Sequence, residues 1–171
     1  MLKTILTSLR SPDLRKKLAF TAFILLVYRF GSYVPTPGVN LDALQAAIDA
    51  RGSRLLDFLN LFSGGALTRF AVFALGIMPY ITASIILQLM TVVIPRLEAL
   101  QKEGESGQQK ITQYTRYFTV VLALLQSMAY VLYFRSQDAL PEFSAGRFYL
   151  IVLSITAGTT LLMWLGELIT Q

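Results

Sequence analysis

Side chains that could take part in catalysis are scarce in this sequence, and the two most versatile kinds are absent. The chain has no cysteine and no histidine. Disulfides and thiolate metal sites are therefore excluded, and the commonest general base and metal ligand is missing. The apolar run of residues 70–95 includes Thr82, Ser84 and Gln88, which can hydrogen-bond to a neighbouring helix or to water. We therefore expect a protein that is not an enzyme and that needs no metal or cofactor.

Gating by an apolar constriction is the chemistry that the isoleucines of this run could supply. Ile77 and Ile81 are four residues apart, with Ile85 one turn further, so a helix places them on one face. A ring of such residues can close a pore by dewetting, although isoleucines at this spacing more often face lipid or pack in a bundle. Gly76 and Pro79 favour the pore, because a helix that is broken at membrane depth marks a cavity.

The elements that position these residues are predicted to be membrane-spanning helices. Hydrophobic residues make up 54% of the 171 and charged residues 15%, well below the quarter usual in soluble domains, and the mean hydropathy is +0.57. Residues 70–95 carry no charge, and as one helix they would reach about 39 Å, more than the roughly 30 Å hydrocarbon core. We predict an amphipathic lead-in over residues 1–17, spans over 18–34, 70–95, 114–134 and 148–168, a cytosolic loop over 96–113 and an outer loop over 135–147.

The outer segment of residues 35–69 is too irregular for a fifth span. Its last part is apolar but short, is interrupted by Gly64 and Gly65, and carries Asp57 and Arg69. Irregular backbone cannot be exposed to lipid, because its polar groups would lack partners there. A re-entrant half-helix that folds into a protein-lined cavity is the simplest solution.

The distribution of basic residues predicts the orientation of the chain. The N-terminal tail and the loop after the second span hold nine lysines and arginines, whereas the two outer segments hold five. Positive residues are retained on the cytoplasmic side, so both chain ends are expected there. This bias also explains the pI of 9.6 better than a nucleic-acid surface does, because the basic residues are spread over four segments.

Five groups of motifs, in order along the chain, resemble one known family. The chain is similar to the N-terminal part of the SecY family, the central subunits of bacterial protein-translocation channels, and the resemblance covers nearly all of it. The motifs are YRFG with PTPG at residues 28–31 and 35–38, NLFSGGAL at 60–67, FALGIMPYI with ASIILQ at 73–81 and 83–88, KEGESG with QYTRY at 102–107 and 113–117, and MWLGE at 163–167.

The resemblance implies an all-α membrane protein with four transmembrane helices plus a re-entrant plug half-helix, the N-terminal portion of a ten-span pseudo-symmetric channel. It assigns the pore ring to Ile77 and Ile81, and one side of the lateral gate to Thr82, Ile85 and Ile86. Gly76 and Pro79 would mark the helix break near the ring. The plug that seals the closed channel would comprise Leu55, Leu56, Phe58, Leu59, Phe62, Ser63, Gly64, Gly65, Leu67 and Arg69.

The function that the resemblance implies is that of the pore-forming subunit of the Sec translocon in the bacterial cytoplasmic membrane. Such a subunit passes unfolded preproteins across the membrane and releases membrane proteins sideways into lipid. Its expected partners are SecE- and SecG-like small membrane subunits, a SecA-like motor ATPase or the ribosome, the nascent polypeptide or signal sequence, and membrane lipid, with no nucleic acid bound directly. As a fragment of such a subunit, the chain is not expected to function alone.

Two other kinds of protein remain open from the residues themselves. The chain could be a small four-helix membrane adaptor or assembly factor, complete as it stands. A secondary transporter is a weaker alternative, because such carriers place carboxylates near the membrane midplane and the four predicted spans have none there.

Overall fold

The computed structural model describes residues 12–37, 39, 60–61, 63–136 and 144–170, and this part of the chain is dominated by helices. They are α1 (Pro12–Gly31), α2 (Met78–Val93), α3 (Pro95–Lys102), α4 (Glu105–Arg135) and α5 (Ala145–Thr170). Among the described residues, the sole β-type pairing is an isolated antiparallel bridge between Pro35 and Ala71. The predicted all-α fold is therefore confirmed.

Prolines stand at the start of three helices. Helix α1 begins at Pro12, α3 begins at Pro95, and Pro79 lies in the first turn of α2. The first turn of a helix leaves its N–H groups without intrahelical partners, so a residue without an N–H costs nothing there. The sequence predicted a helix interrupted near Pro79; in the structure α2 begins there, and residues 72–77 form turns.

A sharp bend separates α2 from α3. Ile94 adopts an extended conformation, with φ −100° and ψ 113°, because the ring of Pro95 disfavours helical backbone at the preceding residue. The two helix axes diverge by 100° at this point. Helix α3 and the first turns of α4 occupy residues 96–113, so this predicted loop contains far more helix than its glycines and polar residues suggested.

Helix α4 is the central element and packs against α2, α3 and α5. Its buried side is a stripe of mostly small residues at four-residue spacing: Gly107, Ile111, Thr115, Thr119, Ala123, Ser127 and Val131. Small side chains let helix backbones approach closely, which is how helices associate in lipid. At Gly107 the approach is so close that a Cβ would stand 1.7 Å from the carbonyl oxygen of Leu100.

The helices identify a membrane protein, and their lengths bear on the number of spans. By length and composition α4 and α5 can each cross a membrane, and the bent pair of α2 and α3 makes a third candidate if it is counted as one span, among the residues described. Helix α1 has 20 residues but carries Asp13, Arg15, Lys16 and Lys17 near its start. Four spans remain a prediction.

The predicted boundaries and the helix ends differ in several places. Residues 12–17 of the predicted lead-in continue into α1 without a break, whereas residues 1–11 lie outside the described part. Helix α4 begins nine residues before the predicted third span, and α5 extends a few residues beyond the predicted fourth span at both ends. Residues 137–143 of the outer loop are outside the described part as well.

Candidate functional site

Residues 63–77, here called the turn segment, contain the end of the predicted plug and lead into α2, and most of them are buried in the helix bundle. Ala66, Phe70, Ala71 and Ala74 are completely buried. Successive backbone hydrogen bonds join residues that are close in sequence. Examples are those from the Phe70 N–H to the Leu67 carbonyl and from the Ala74 N–H to the Ala71 carbonyl. The buried backbone is thus satisfied locally, as irregular backbone at membrane depth requires.

Two further backbone hydrogen bonds join the turn segment to the chain that follows α1. The Thr36 N–H donates to the Phe70 carbonyl at 2.8 Å, and the Val72 N–H donates to the Val34 carbonyl at 3.0 Å. Phe70 has a φ of +48°, which is uncommon for a residue with a side chain. The surrounding contacts therefore hold this backbone in a conformation that it would not adopt by itself.

An aromatic cluster fixes the middle of the turn segment to α4. The ring of Phe70 lies 4.5 Å from the ring of Tyr130 and 5.2 Å from that of Phe134, and the last two rings are 4.8 Å apart. The two pairs that include Phe134 are edge-to-face, and such pairs contribute beyond the area that they bury. Val131 and Ile155 complete the core on the side of α4 and α5.

Close backbone approaches fix the turn segment on its other sides. A Cβ at Gly158 of α5 would stand 2.2 Å from the Val72 carbonyl oxygen, and a Cβ at Gly31 of α1 would stand 2.1 Å from the ring of Phe73. Glycine is therefore required at both places for the helices to reach the segment. The ring of Phe73 also stacks on Tyr28, with 6.0 Å between the ring centres.

Two side chains from different helices donate hydrogen bonds to carbonyl groups at the start of the turn segment. The Arg29 Nη1 of α1 donates to the Gly64 carbonyl at 3.1 Å, and the Tyr130 hydroxyl of α4 donates to the Leu67 carbonyl. Within the segment, the Ser63 Oγ accepts from the Leu67 N–H at 3.0 Å. Gly64 and Gly65 have φ values of +61° and +87°, a region that glycine adopts without strain.

Arg29 and Arg69 share one aromatic partner. The Arg29 Nη2 donates to the Tyr33 hydroxyl at 2.8 Å, and the Arg69 guanidinium lies 4.2 Å from the centre of the Tyr33 ring. Glu167, near the end of α5, accepts a hydrogen bond from the Arg116 Nε of α4 at 2.7 Å. An open cavity of about 400 Å³ adjoins Arg29 and is lined also by Asn60, Leu61, Gly64 and Gly65.

The isoleucines assigned to the pore ring lie on the exposed side of α2 and at its start. Ile77 is 47% exposed, Ile81 39% and Ile85 52%. Pro79 and Ala83, about half a turn away around the helix, are buried in the bundle. Ile77, Ile81 and Ile85, here called the isoleucine stripe, thus form an apolar face that the described residues cover only in part.

The other residues that the sequence assigned to the gate, the helix break and the plug lie in α2, in the turn segment or outside the described residues. Thr82 and Ile86 are half-buried, Gln88 is exposed, and Gly76 is buried with a φ of +55°. Of the plug residues, Ser63 and Leu67 are buried, Gly64 and Gly65 half-buried, and Arg69 exposed; residues 63–69 form turns instead of a helix. Leu55, Leu56, Phe58, Leu59 and Phe62 lie outside the described residues.

Sequence reasoning missed two residues that hold this region together, Phe70 and Tyr130. A tyrosine within an apolar run is a signal that could have identified Tyr130, because its hydroxyl needs a partner when it is buried. No group of three or more potential metal-ligating side chains (Asp, Glu, His or Cys) occurs among the residues that the structure describes.

Comparison with known proteins yields one family. A family model described as SecY matches residues 71–171. The chain is similar to the protein translocase subunits SecY of Streptomyces scabiei, with 53% identity over 183 aligned positions, of Streptomyces griseus, with 54% over 173, and of Mycobacterium tuberculosis, with 48% over 183. These alignments cover 100%, 95% and 100% of the chain but 42%, 40% and 42% of the relatives, so the chain spans about two fifths of their length.

Proposed function

This chain belongs to the SecY family, and on that premise we propose that it forms the N-terminal portion of the pore-forming subunit of a Sec translocon. Such a subunit passes unfolded preproteins across the membrane and releases membrane proteins laterally into it. The chain would line one side of the pore, and segments corresponding to the rest of its relatives would line the other.

The observation that carries this proposal is the isoleucine stripe beside the buried turn segment. An exposed apolar face directly follows a segment of irregular backbone that the bundle encloses, an arrangement suited to a constriction next to a cavity. A narrow ring of isoleucines excludes ions by dewetting. It also yields to a passing polypeptide, because dispersion contacts lack the directionality that would retain a polar chain.

The plug and the lateral gate extend the same proposal to neighbouring residues. Residues 55–69 would form the plug, whose C-terminal end is the start of the turn segment. Thr82, Ile85 and Ile86 would form one side of the lateral gate, through which an apolar signal sequence partitions into lipid. Gly76 would let the backbone turn between plug and gate, since its φ of +55° suits glycine.

The location and partners follow from the proposed role. We place the chain in the bacterial cytoplasmic membrane as a multi-pass protein with both ends in the cytoplasm. SecE- and SecG-like small subunits would surround the channel, and a SecA-like ATPase or the ribosome would supply the polypeptide. No observation favours an adaptor or a transporter over this role.

Photo-crosslinking to a translocating polypeptide tests the proposal. The experiment uses the fused channel, in which residues 1–171 replace the aligned part of the Streptomyces scabiei relative, reconstituted with its small subunits. A photoreactive residue at Ile77 or Ile81 should form adducts with a stalled preprotein. The matched control is Met90, which is 40% exposed, much like Ile81 at 39%, but lies nine residues further along the same helix and so on the side opposite Ile81. Equal adduct yields at Met90 and Ile81 would contradict a pore-lining role.

A further inference from the structure

The face of α2 that carries the isoleucine stripe continues beyond Ile85 towards α3. With 3.6 residues per turn, Gln88 and Val92 lie within the arc of the helix that the isoleucines span. Gln88 is exposed, and Val92 is 80% exposed. The face therefore extends from Ile77 to Val92, about 22 Å along the helix axis, and ends beside the bend between α2 and α3.

A single amide interrupts this apolar face. In α2, which the structure describes throughout, Gln88 is the one exposed polar residue. Its main-chain carbonyl accepts a hydrogen bond from the Thr91 hydroxyl at 2.6 Å, whereas no hydrogen bond joins its side-chain amide to a described residue. An amide among apolar groups needs a partner, because the loss of its bonds to water costs free energy. The Gln88 side chain can therefore bind the main chain of a polypeptide that lies along this face.

A cavity lies at the end of the same face, between α2 and α3. It is open, has a volume of about 330 Å³ and is here called the elbow cavity; its lining residues are Thr91, Val92, Glu98, Gln101 and Lys102. Val92 belongs both to the face and to the cavity. A polypeptide that follows the isoleucine stripe towards α3 therefore reaches the elbow cavity.

The elbow cavity offers a carboxylate to an incoming basic side chain. Among the described residues that line it, Glu98 supplies the carboxylate, and the Lys102 Nζ lies 2.6 Å from the Glu98 Oε1. The two side chains are 75% exposed for Lys102 and 48% for Glu98, and such exposed pairs contribute little, so another cation can replace Lys102. Arg96 precedes Glu98 by two residues and therefore lies about 200° away around α3, on its other side.

Signal sequences carry apolar and basic groups in the matching order. A basic flank precedes an apolar stretch of about 7–15 residues, which as a helix is about 10–22 Å long. The face from Ile77 to Val92 has room for such a stretch, and the elbow cavity lies where the flank would follow. Basic flanks are retained on the cytoplasmic side, where the loop of residues 96–113 is also predicted to lie.

We propose that the elbow cavity binds the basic N-terminal flank of a signal sequence. Glu98 pairs with a lysine or arginine of the flank, and Gln88 hydrogen-bonds to the main chain where the flank meets the apolar stretch. Both are specificity-determining residues, because together they select a positive charge and fix its distance from the apolar stretch. The inference rests on the proposed function, since it requires that the signal sequence lie along the isoleucine stripe.

Translocation of two preproteins through the fused channel tests the role of Glu98. The preproteins differ only in the flank of the signal sequence, which carries lysines in one and glutamines in the other, and the ratio of their initial rates is measured in proteoliposomes. Glu98→Gln should lower this ratio about two- to fivefold, the effect of one partly exposed ion pair. Lys102→Gln removes the competing cation and should raise the ratio. Glu105→Gln, which removes a carboxylate at the start of α4 outside the cavity, should leave it unchanged.

Photo-crosslinking tests the role of Gln88 and identifies what occupies the cavity. A photoreactive residue at Gln101 should form adducts with the basic flank of a stalled preprotein. Gln88→Leu extends the apolar face, so the signal sequence should slide along it and the adducts should move by about one helical turn into the apolar stretch. Gln109→Leu, the same change at an exposed residue outside the cavity, should leave the adducts in place.

The outcomes separate this inference from the proposed function. An equal fall of the rate ratio in Glu98→Gln and Glu105→Gln, or no fall in either, overturns the pairing with Glu98. Adducts that stay in place in Gln88→Leu overturn the role of Gln88. Adducts of Gln101 with lipid alone, alongside adducts of Ile81 with the preprotein, overturn the binding of the flank but leave the pore-lining role intact. Absence of preprotein adducts at Ile81 contradicts the proposed function itself.

Discussion

Substitution of Gly158 by alanine should separate α5 from the turn segment. The added Cβ would stand 2.2 Å from the Val72 carbonyl oxygen, whereas ordinary van der Waals contact begins near 3.4 Å. The obstacle is backbone, and Val72 is itself held by its hydrogen bond to Val34. Relief therefore requires a shift of α5 by about 1 Å, which exceeds what a closely packed core absorbs without loss.

The magnitude follows from two opposing contributions. Overpacking of a core typically costs about 1–3 kcal/mol, and replacement of glycine by alanine within a helix contributes about 1 kcal/mol in favour of folding. We expect a net loss of up to about 2 kcal/mol in the free energy of unfolding. The quantity would be measured by titration of the detergent-solubilised chain with sodium dodecyl sulfate, followed by circular dichroism of the helices.

The matched control is Gly166→Ala in the same helix. No atom outside the helix backbone lies within 4 Å of a Cβ at Gly166, so this variant should be as stable as the parent or more stable, by up to about 1 kcal/mol. Equal stabilities of the Gly158→Ala and Gly166→Ala variants would refute the close approach of α5 to Val72.

Three other contacts predict changes of different size in the free energy of unfolding, which the same titration would measure. Phe70→Ala should lower the free energy of unfolding by about 3–5 kcal/mol, because it empties the completely buried centre of the aromatic cluster, and a loss below 1 kcal/mol would argue against that cluster. A double-mutant cycle of Arg116→Ala and Glu167→Ala should give a coupling of about 1 kcal/mol that decreases with added salt, because the Arg116 side chain is 45% exposed although that of Glu167 is only 13% exposed; a coupling insensitive to salt would contradict this. Ser127→Ala should cost less than about 1 kcal/mol, since Thr156 keeps its hydrogen bond to a carbonyl of its own helix, and a larger loss would mean that the pair between α4 and α5 matters more than its geometry suggests.

Local signals in the sequence predicted the helical architecture well. The apolar runs predicted α4 and α5, because hydrophobic length is a signal that acts within a short stretch of sequence. The segment of residues 96–113 was harder to interpret. Gly104 and Gly107 both suggested a loop, but only Gly104 breaks the helix, with a φ of +75°; Gly107 lies inside α4, where the Leu100 carbonyl leaves no room for a Cβ.

Contacts across the fold could not be predicted in this way. The hydrogen bond from Tyr130 to Leu67 joins residues 63 positions apart, and that from Arg29 to Gly64 joins residues 35 apart. Both acceptors are backbone carbonyls, which every residue possesses, so the side-chain types give no indication of the partner. The positions of Ile77 and Ile81 could be predicted as one face, but their exposure depends on which side of α2 packs against α4.

Resting ion conductance of the fused channel carrying both Ile77→Ser and Ile81→Ser tests the central claim most directly. If the isoleucine stripe forms the constriction, the two hydroxyls should wet it and raise the conductance of the closed channel in planar bilayers above that of the parent. Met90→Ser, on the opposite side of the same helix and as exposed as Ile81, should leave the conductance unchanged. A double variant as tight as the parent would contradict the claim that these isoleucines seal a pore.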